Sequence, residues 1–81
     1  MKLWIGNLDP AVTDDELKAF VGKYAPQLEI AEIERVPGDG SRPGATLTTD
    51  GSLVALHEAQ RRVSGMFWNK RKLIAQVLRG L

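Results

Sequence analysis

Cysteine is absent from the 81 residues. That excludes a disulfide framework, a thiol nucleophile and a thiolate metal site, and it fits a reducing compartment. Histidine occurs once, at His57, too few for a zinc site built on imidazoles and without a nucleophile motif beside it. There is no apolar run long enough to cross a membrane and no secretory pattern at Met1-Lys2-Leu3-Trp4, so the expected location is the cytoplasm, with no membrane partner. A strong excess of one charge is missing too: the formal net charge is +1, unlike the basic balance common among nucleic-acid binders. Only five aromatics are present, Trp4, Phe20, Tyr24, Phe67 and Trp68, so each one outside the core stands out.

What is there is unevenly placed. Residues 1–40 hold four basic against eight acidic residues, a net of −4, and residues 41–81 hold seven against two, a net of +5. A fold that gathers the late cations would offer a local anion site, although scattered they are an ordinary solvated surface. A chain of this length reads as one domain over residues 1–81, and so small a domain buries only about 60–65% of its unfolded surface. The expected core is therefore one sheet under one layer of helices.

Lys2-Leu3-Trp4-Ile5-Gly6 alternates and is rich in strand formers, which predicts a first strand, and Asn7-Leu8-Asp9-Pro10 is turn chemistry. Thr13 with Glu16 three residues on makes a capping box, and Val12 and Leu17 stand at the positions of a hydrophobic staple. Leu17, Phe20, Val21 and Tyr24 form one apolar helix face, ended before Pro26. Leu28 to Val36 reads as strand 2, with Ile30 and Ile33 inward and imperfect alternation near Arg35 and Val36 that points to a bulge or a short strand. A loop, Pro37-Gly38-Asp39-Gly40-Ser41, leads to strand 3 over Ala45–Thr49. The second helix starts at Asp50 or Ser52, carries Leu53, Leu56, Gln60 and Val63 on one face, and stops at Gly65. Asn69-Lys70 is a turn, and Lys72 to Leu78 is the last strand. The order β-α-β-β-α-β predicts an α+β, ferredoxin-like sandwich, with a four-stranded antiparallel sheet and two helices packed on one face. The other face of the sheet is left uncovered.

Leu3-Trp4-Ile5-Gly6-Asn7-Leu8 resembles the strand 1 hexamer of RNA recognition motifs, which reads aliphatic, aromatic, aliphatic, any residue, Asn, Leu. Thr13-Asp14-Asp15-Glu16-Leu17 looks like that family's first helix start, and Gly65 precedes Arg71-Lys72-Leu73 at the family's spacing for the last turn and strand. The resemblance covers nearly the whole chain. It departs on strand 3, where the family's octamer matches Arg42-Pro43-Gly44-Ala45-Thr46-Leu47-Thr48-Thr49. The leading basic residue is present, but Gly44, Thr46 and Thr49 stand where aromatics would be. Gly44 and Thr46 would have faced RNA, and Thr49 the core.

The resemblance implies a non-catalytic module that binds short single-stranded RNA weakly, with no cofactor and no metal. Alternation places Leu3 and Ile5 in the core and Lys2 and Trp4 on the open face, where Trp4 would stack a base. Leu73, Ala75 and Val77 should face the helices, and Lys72, Ile74 and Gln76 should face outward. Lys2, Lys72, Arg42 and Arg71 would meet phosphates, with Lys70 beside them, while Gln76, Thr46 and Ile74 would shape base sites. Glu32 or Glu34, if either faces the open side, would repel phosphate. Trp68 reads as core or half-buried packing, and Phe67 as the more exposed of the two. Single-stranded DNA is a second ligand to consider. The alternative function is a protein-interaction module in which Trp4, Ile74 and their neighbours meet an apolar partner or another copy of the chain.

Other chemistries find less support. Asp14-Asp15-Glu16 is explained as helix-start charge rather than an acid–base pair. Gly38–Gly44 is glycine-rich, but it joins two strands, whereas a phosphate loop runs from strand into helix. The same fold class hosts small acyl-phosphate hydrolases and metal carriers. The former resemble an arginine-bearing turn after strand 1, which Leu8-Asp9-Pro10-Ala11 lacks, and the latter need cysteine.

Overall fold

The computed structural model describes residues 1–38 and 43–78. In chain order the elements are β1 (Lys2–Gly6), α1 (Asp14–Tyr24), β2 (Ile30–Val36), β3 (Gly44–Thr49), α2 (Leu53–Val63), β4 (Phe67–Trp68), β5 (Arg71–Lys72) and β6 (Ile74–Leu78). β2, β3, β1 and β6 form, in that order, a four-stranded sheet whose neighbours are all antiparallel. The two helices pack on one face of it, which is the expected ferredoxin-like architecture. No described helix is long and apolar enough to cross a membrane.

The core lies between that face and the helices. β1 contributes Leu3 and Ile5, β3 contributes Ala45 and Leu47, and β6 contributes Ala75. Against them sit Leu17, Phe20 and Val21 of α1 and Leu56, Ala59 and Val63 of α2, all buried. Thr49 is buried as expected, and its hydroxyl donates to the Met1 carbonyl (3.3 Å), so a polar group replaces an aromatic there without being stranded.

The first helix starts as its sequence predicts. The Thr13 hydroxyl accepts from the Glu16 N–H, and the Thr13 N–H donates to the Glu16 carboxylate, both at 3.1 Å. Val12 and Leu17 are buried at the staple positions. Ser52, rather than Asp50, caps α2, its hydroxyl accepting from the Ala55 N–H. Arg35 reaches across from β2 to bond Asp14 and the Val12 carbonyl, each at 3.0 Å. This ties the start of α1 to the sheet edge.

Two expectations about the strands need correction. The bulge in β2 falls between Ile30 and Glu32, not at Arg35–Val36, which continue in regular register with Ala45 and Gly44. One extra residue there is what lets Ile30 and Ile33, an odd number of positions apart, both turn toward the helices. The strand expected over Lys72–Leu78 is broken at Leu73. Arg71 and Lys72 instead pair with Trp68 and Phe67 in a separate hairpin. Its two turn residues, Asn69 and Lys70, have φ of 49° and 65°, the positive values of the turn that matches strand twist. Alternation runs unbroken through 72–78, so the pattern gave no sign of the interruption.

Trp68 stacks on Phe20 with ring centroids 4.2 Å apart and planes 18° from parallel, and is half-buried, while Phe67 is 73% exposed. The hairpin thus caps the open side of α1. Lys70 stands at a φ that favours glycine. Lys70→Gly is expected to raise stability by up to about 1 kcal/mol, read as a higher urea midpoint at unchanged slope. A lower midpoint would mean that the lysine side chain, not the turn backbone, matters there.

Candidate nucleic-acid interface

Directly paired residues of neighbouring strands point to the same face, so the register lays out the uncovered face in rows. Glu34, Thr46, Trp4 and Gln76 form one row across β2, β3, β1 and β6. Glu32, Thr48, Lys2 and Leu78 form the row on one side of it. Val36, Gly44, Gly6 and Ile74 form the row on the other, with Val36 paired to Gly44 and Ile74 to Gly6.

The two glycines explain how Trp4 sits. A Cβ built on Gly44 would fall 2.1 Å from Cη2 of Trp4 and 2.5 Å from Cζ2. One built on Gly6 would fall 3.0 Å from the indole Nε1. The ring therefore lies flat across β1 and β3 with its pyrrole end over Gly6 and its benzo end over Gly44. One ring face rests on bare backbone, so the residue is half-buried although it stands on the open side. The gap that the octamer comparison shows at Gly44 is filled from the neighbouring strand. Glycine within a strand costs stability and commonly marks such a close approach.

The same rows place the other site residues read from the sequence. Lys2, Thr46, Gln76 and Ile74 share the open face with Trp4. Lys2 and Gln76 are exposed, Thr46 is half-buried, and Ile74 is 51% exposed. Lys72 and Arg71 are not on this sheet but on the β4–β5 hairpin beside it. Lys72 is exposed, and its carbonyl accepts from the Asn7 side-chain amide at 2.9 Å. The Arg71 guanidinium turns toward the Asn7 side-chain oxygen (3.5 Å) and the Leu8 carbonyl (3.4 Å). Asn7, at φ 61°, thus joins the end of β1 to the hairpin. Arg42 lies outside the described residues.

Two residues to which the sequence reading gave no place on this face, Gly6 and Val36, belong to it, and Gly44, read there as a lost aromatic, has a role of its own. Gly6 and Gly44 seat the indole, and Val36 is paired with Gly44. The carboxylates require a separate finding: Glu32 and Glu34 are both exposed on the open face, paired with Thr48 and Thr46. The face is therefore electrically divided, acidic along β2 and basic at Lys2. A distinct shallow groove of about 440 Å³ lies away from this face, between α1 and β4, lined by Glu16, Phe20, Tyr24, Met66, Phe67 and Trp68.

The glycine seat has a direct test. In Gly44→Ala the new methyl cannot coexist with the ring as placed, so Trp4 must lift from the sheet. Amide and indole N–H shifts of Trp4, Gly6 and Thr46 are expected to move while the Phe20–Trp68 contact keeps its own. Unchanged Trp4 resonances in a folded Gly44→Ala protein would show that the ring does not rest there.

No protein-family model and no curated protein matches the sequence. Solved structures do match. The structure described as "Pes4 RRM3" superposes with a TM-score of 0.81 at 18% identity, over 99% of this chain and 93% of that one. The N-terminal three RNA binding domains of the yeast splicing factor Prp24 give 0.79 at 16% identity, over 98% of this chain and 33% of that one. The Rna15 RRM with bound RNA (GU) gives 0.76 at 12% identity, covering 98% and 83%. Strand order, helix placement and these likenesses agree: the chain has the fold of an RNA recognition motif domain.

Proposed function

We propose that this chain is a non-catalytic module that binds short single-stranded RNA on the open sheet face. The observation that carries the reading is the Trp4 indole, laid flat on Gly6 and Gly44 with its other side turned away from the sheet. Leaving a large apolar ring at the centre of an uncovered sheet forgoes burial, and a stacked base recovers it. Base–aromatic stacking contributes about 1–3 kcal/mol per base. Around the ring, Ile74 offers an apolar border, while Thr46 and Gln76 offer groups that donate and accept. Lys2 supplies a cation on the same face, with Lys72 and Arg71 on the adjoining hairpin. The RNA named with the Rna15 structure belongs to that protein, and it supports the reading by likeness of fold alone.

One stacking ring and few cations point to weak binding. Glu32 and Glu34 confine phosphates to the β1–β6 half of the sheet, where Lys2 lies. With two or three phosphate contacts, log K should fall against log salt with a slope between about −1.4 and −2.1, using the single-strand coefficient.

An amide-shift titration with short RNA oligomers tests this. Shifts are expected on β1, β3 and β6, and Trp4→Ala should weaken binding by about 5- to 160-fold, the range that stacking energies imply. Single-stranded DNA run alongside separates a contact to the 2′-hydroxyl from stacking alone. Silence with every oligonucleotide, together with an oligomer insensitive to salt, would replace this reading with the protein-interaction one.

A further inference from the structure

Resting on the RNA-binding reading, we propose that Glu34 determines base identity at the Trp4 platform and selects guanine. The argument starts from where the indole lies. Its benzo end is over Gly44, on β3, one strand nearer to β2 than Trp4's own backbone. Strands are spaced about 4.8 Å apart. A base stacked there extends its far edge over β2, whose open-face residues at that point are Val36, opposite Gly44, and Glu34, opposite Thr46. Val36 offers no polar group. Glu34 is exposed and its side chain forms no hydrogen bond or ion pair among the described residues, so its two carboxylate oxygens are available to accept.

Guanine fits an acceptor-only pair of oxygens. Its Watson–Crick edge carries N1–H and the N2 amino group side by side, two donors matched to one carboxylate. Adenine and cytosine present one amino group beside a lone pair that the carboxylate repels. Uracil presents a single N3–H between two carbonyl oxygens. Phosphate is repelled by the same group, so the carboxylate works as a base reader only once stacking has brought the base edge to it.

Simple repulsion is the competing account of Glu34, and it makes a different prediction. Repulsion acts on the backbone and is indifferent to the base, whereas paired hydrogen bonds are not. The test uses five RNA pentamers, uridine at every flanking position and G, A, C, U or inosine at the centre, titrated into the intact chain at one salt concentration. Guanine is expected to bind about tenfold tighter than A, C or U, within the range of a bidentate base contact. Inosine, which lacks the N2 amino group, should fall between. In Glu34→Gln, exposed and of the same shape, the spread should shrink to about twofold or less. Glu32→Gln, one row further from the indole, should leave the preference intact. A wild-type chain that binds all five equally, or a Glu34→Gln variant that gains the same factor for every pentamer, overturns the guanine assignment and leaves the RNA reading standing. A wild-type chain that binds none of them overturns both.

Discussion

The open face depends on one steric fit, an indole with two glycines beneath it. Elsewhere in β1 and β3 the side chains alternate between core and open face, and the core members, Leu3, Ile5, Ala45 and Leu47, are fully buried. At Gly6 and Gly44 the alternation reaches residues with no side chain, which leaves a gap on the open face. Trp4 lies in it instead of standing upright. The helices, the capping box and the Arg35–Asp14 pair act on this fit only indirectly, by fixing the sheet that carries it.

That arrangement changes the meaning of the missing octamer aromatics. Read along β3 alone, Gly44 and Thr46 are losses, and the face looks stripped of stacking surface. Read across the register, Gly44 is the condition for the one ring that remains. The face also acquires a direction. β2 carries the carboxylates, β1 carries Lys2, and the hairpin beyond carries Lys72 and Arg71. Glu32 and Glu34 disfavour an anion along β2, and Lys2 favours one along β1.

Much of the fold was legible in the sequence because the signals were local. Thr13 and Glu16 announce a helix start, and Leu3 and Ile5 against Lys2 and Trp4 announce a two-sided strand. The order of elements then leaves few topologies. Of the β4–β5 hairpin the Asn69-Lys70 turn was legible, but its strands were not, since Lys72, Leu73 and Ile74 continue the alternation across a real break. Of the candidate site, the residues sharing a face with Trp4 followed from period two. The posture of its ring did not, because it is set by a residue forty positions away that the register brings alongside. Arg35 and Asp14 were likewise readable only as separate charges until β2 and α1 stood side by side.

The bulge near Ala31 decides more than the curvature of an edge. Downstream of it Ile33 and Arg35 turn to the helices, while Glu32, Glu34 and Val36 turn outward. Had the same residues paired in regular register with none looped out, every later side chain would exchange sides. An isoleucine and an arginine would then look out beside the tryptophan, and two acids would be driven into the apolar interior. The polarity of this surface is thus written in one looped-out residue, so that the same strand paired without it would present the opposite electrical character to the same visitor.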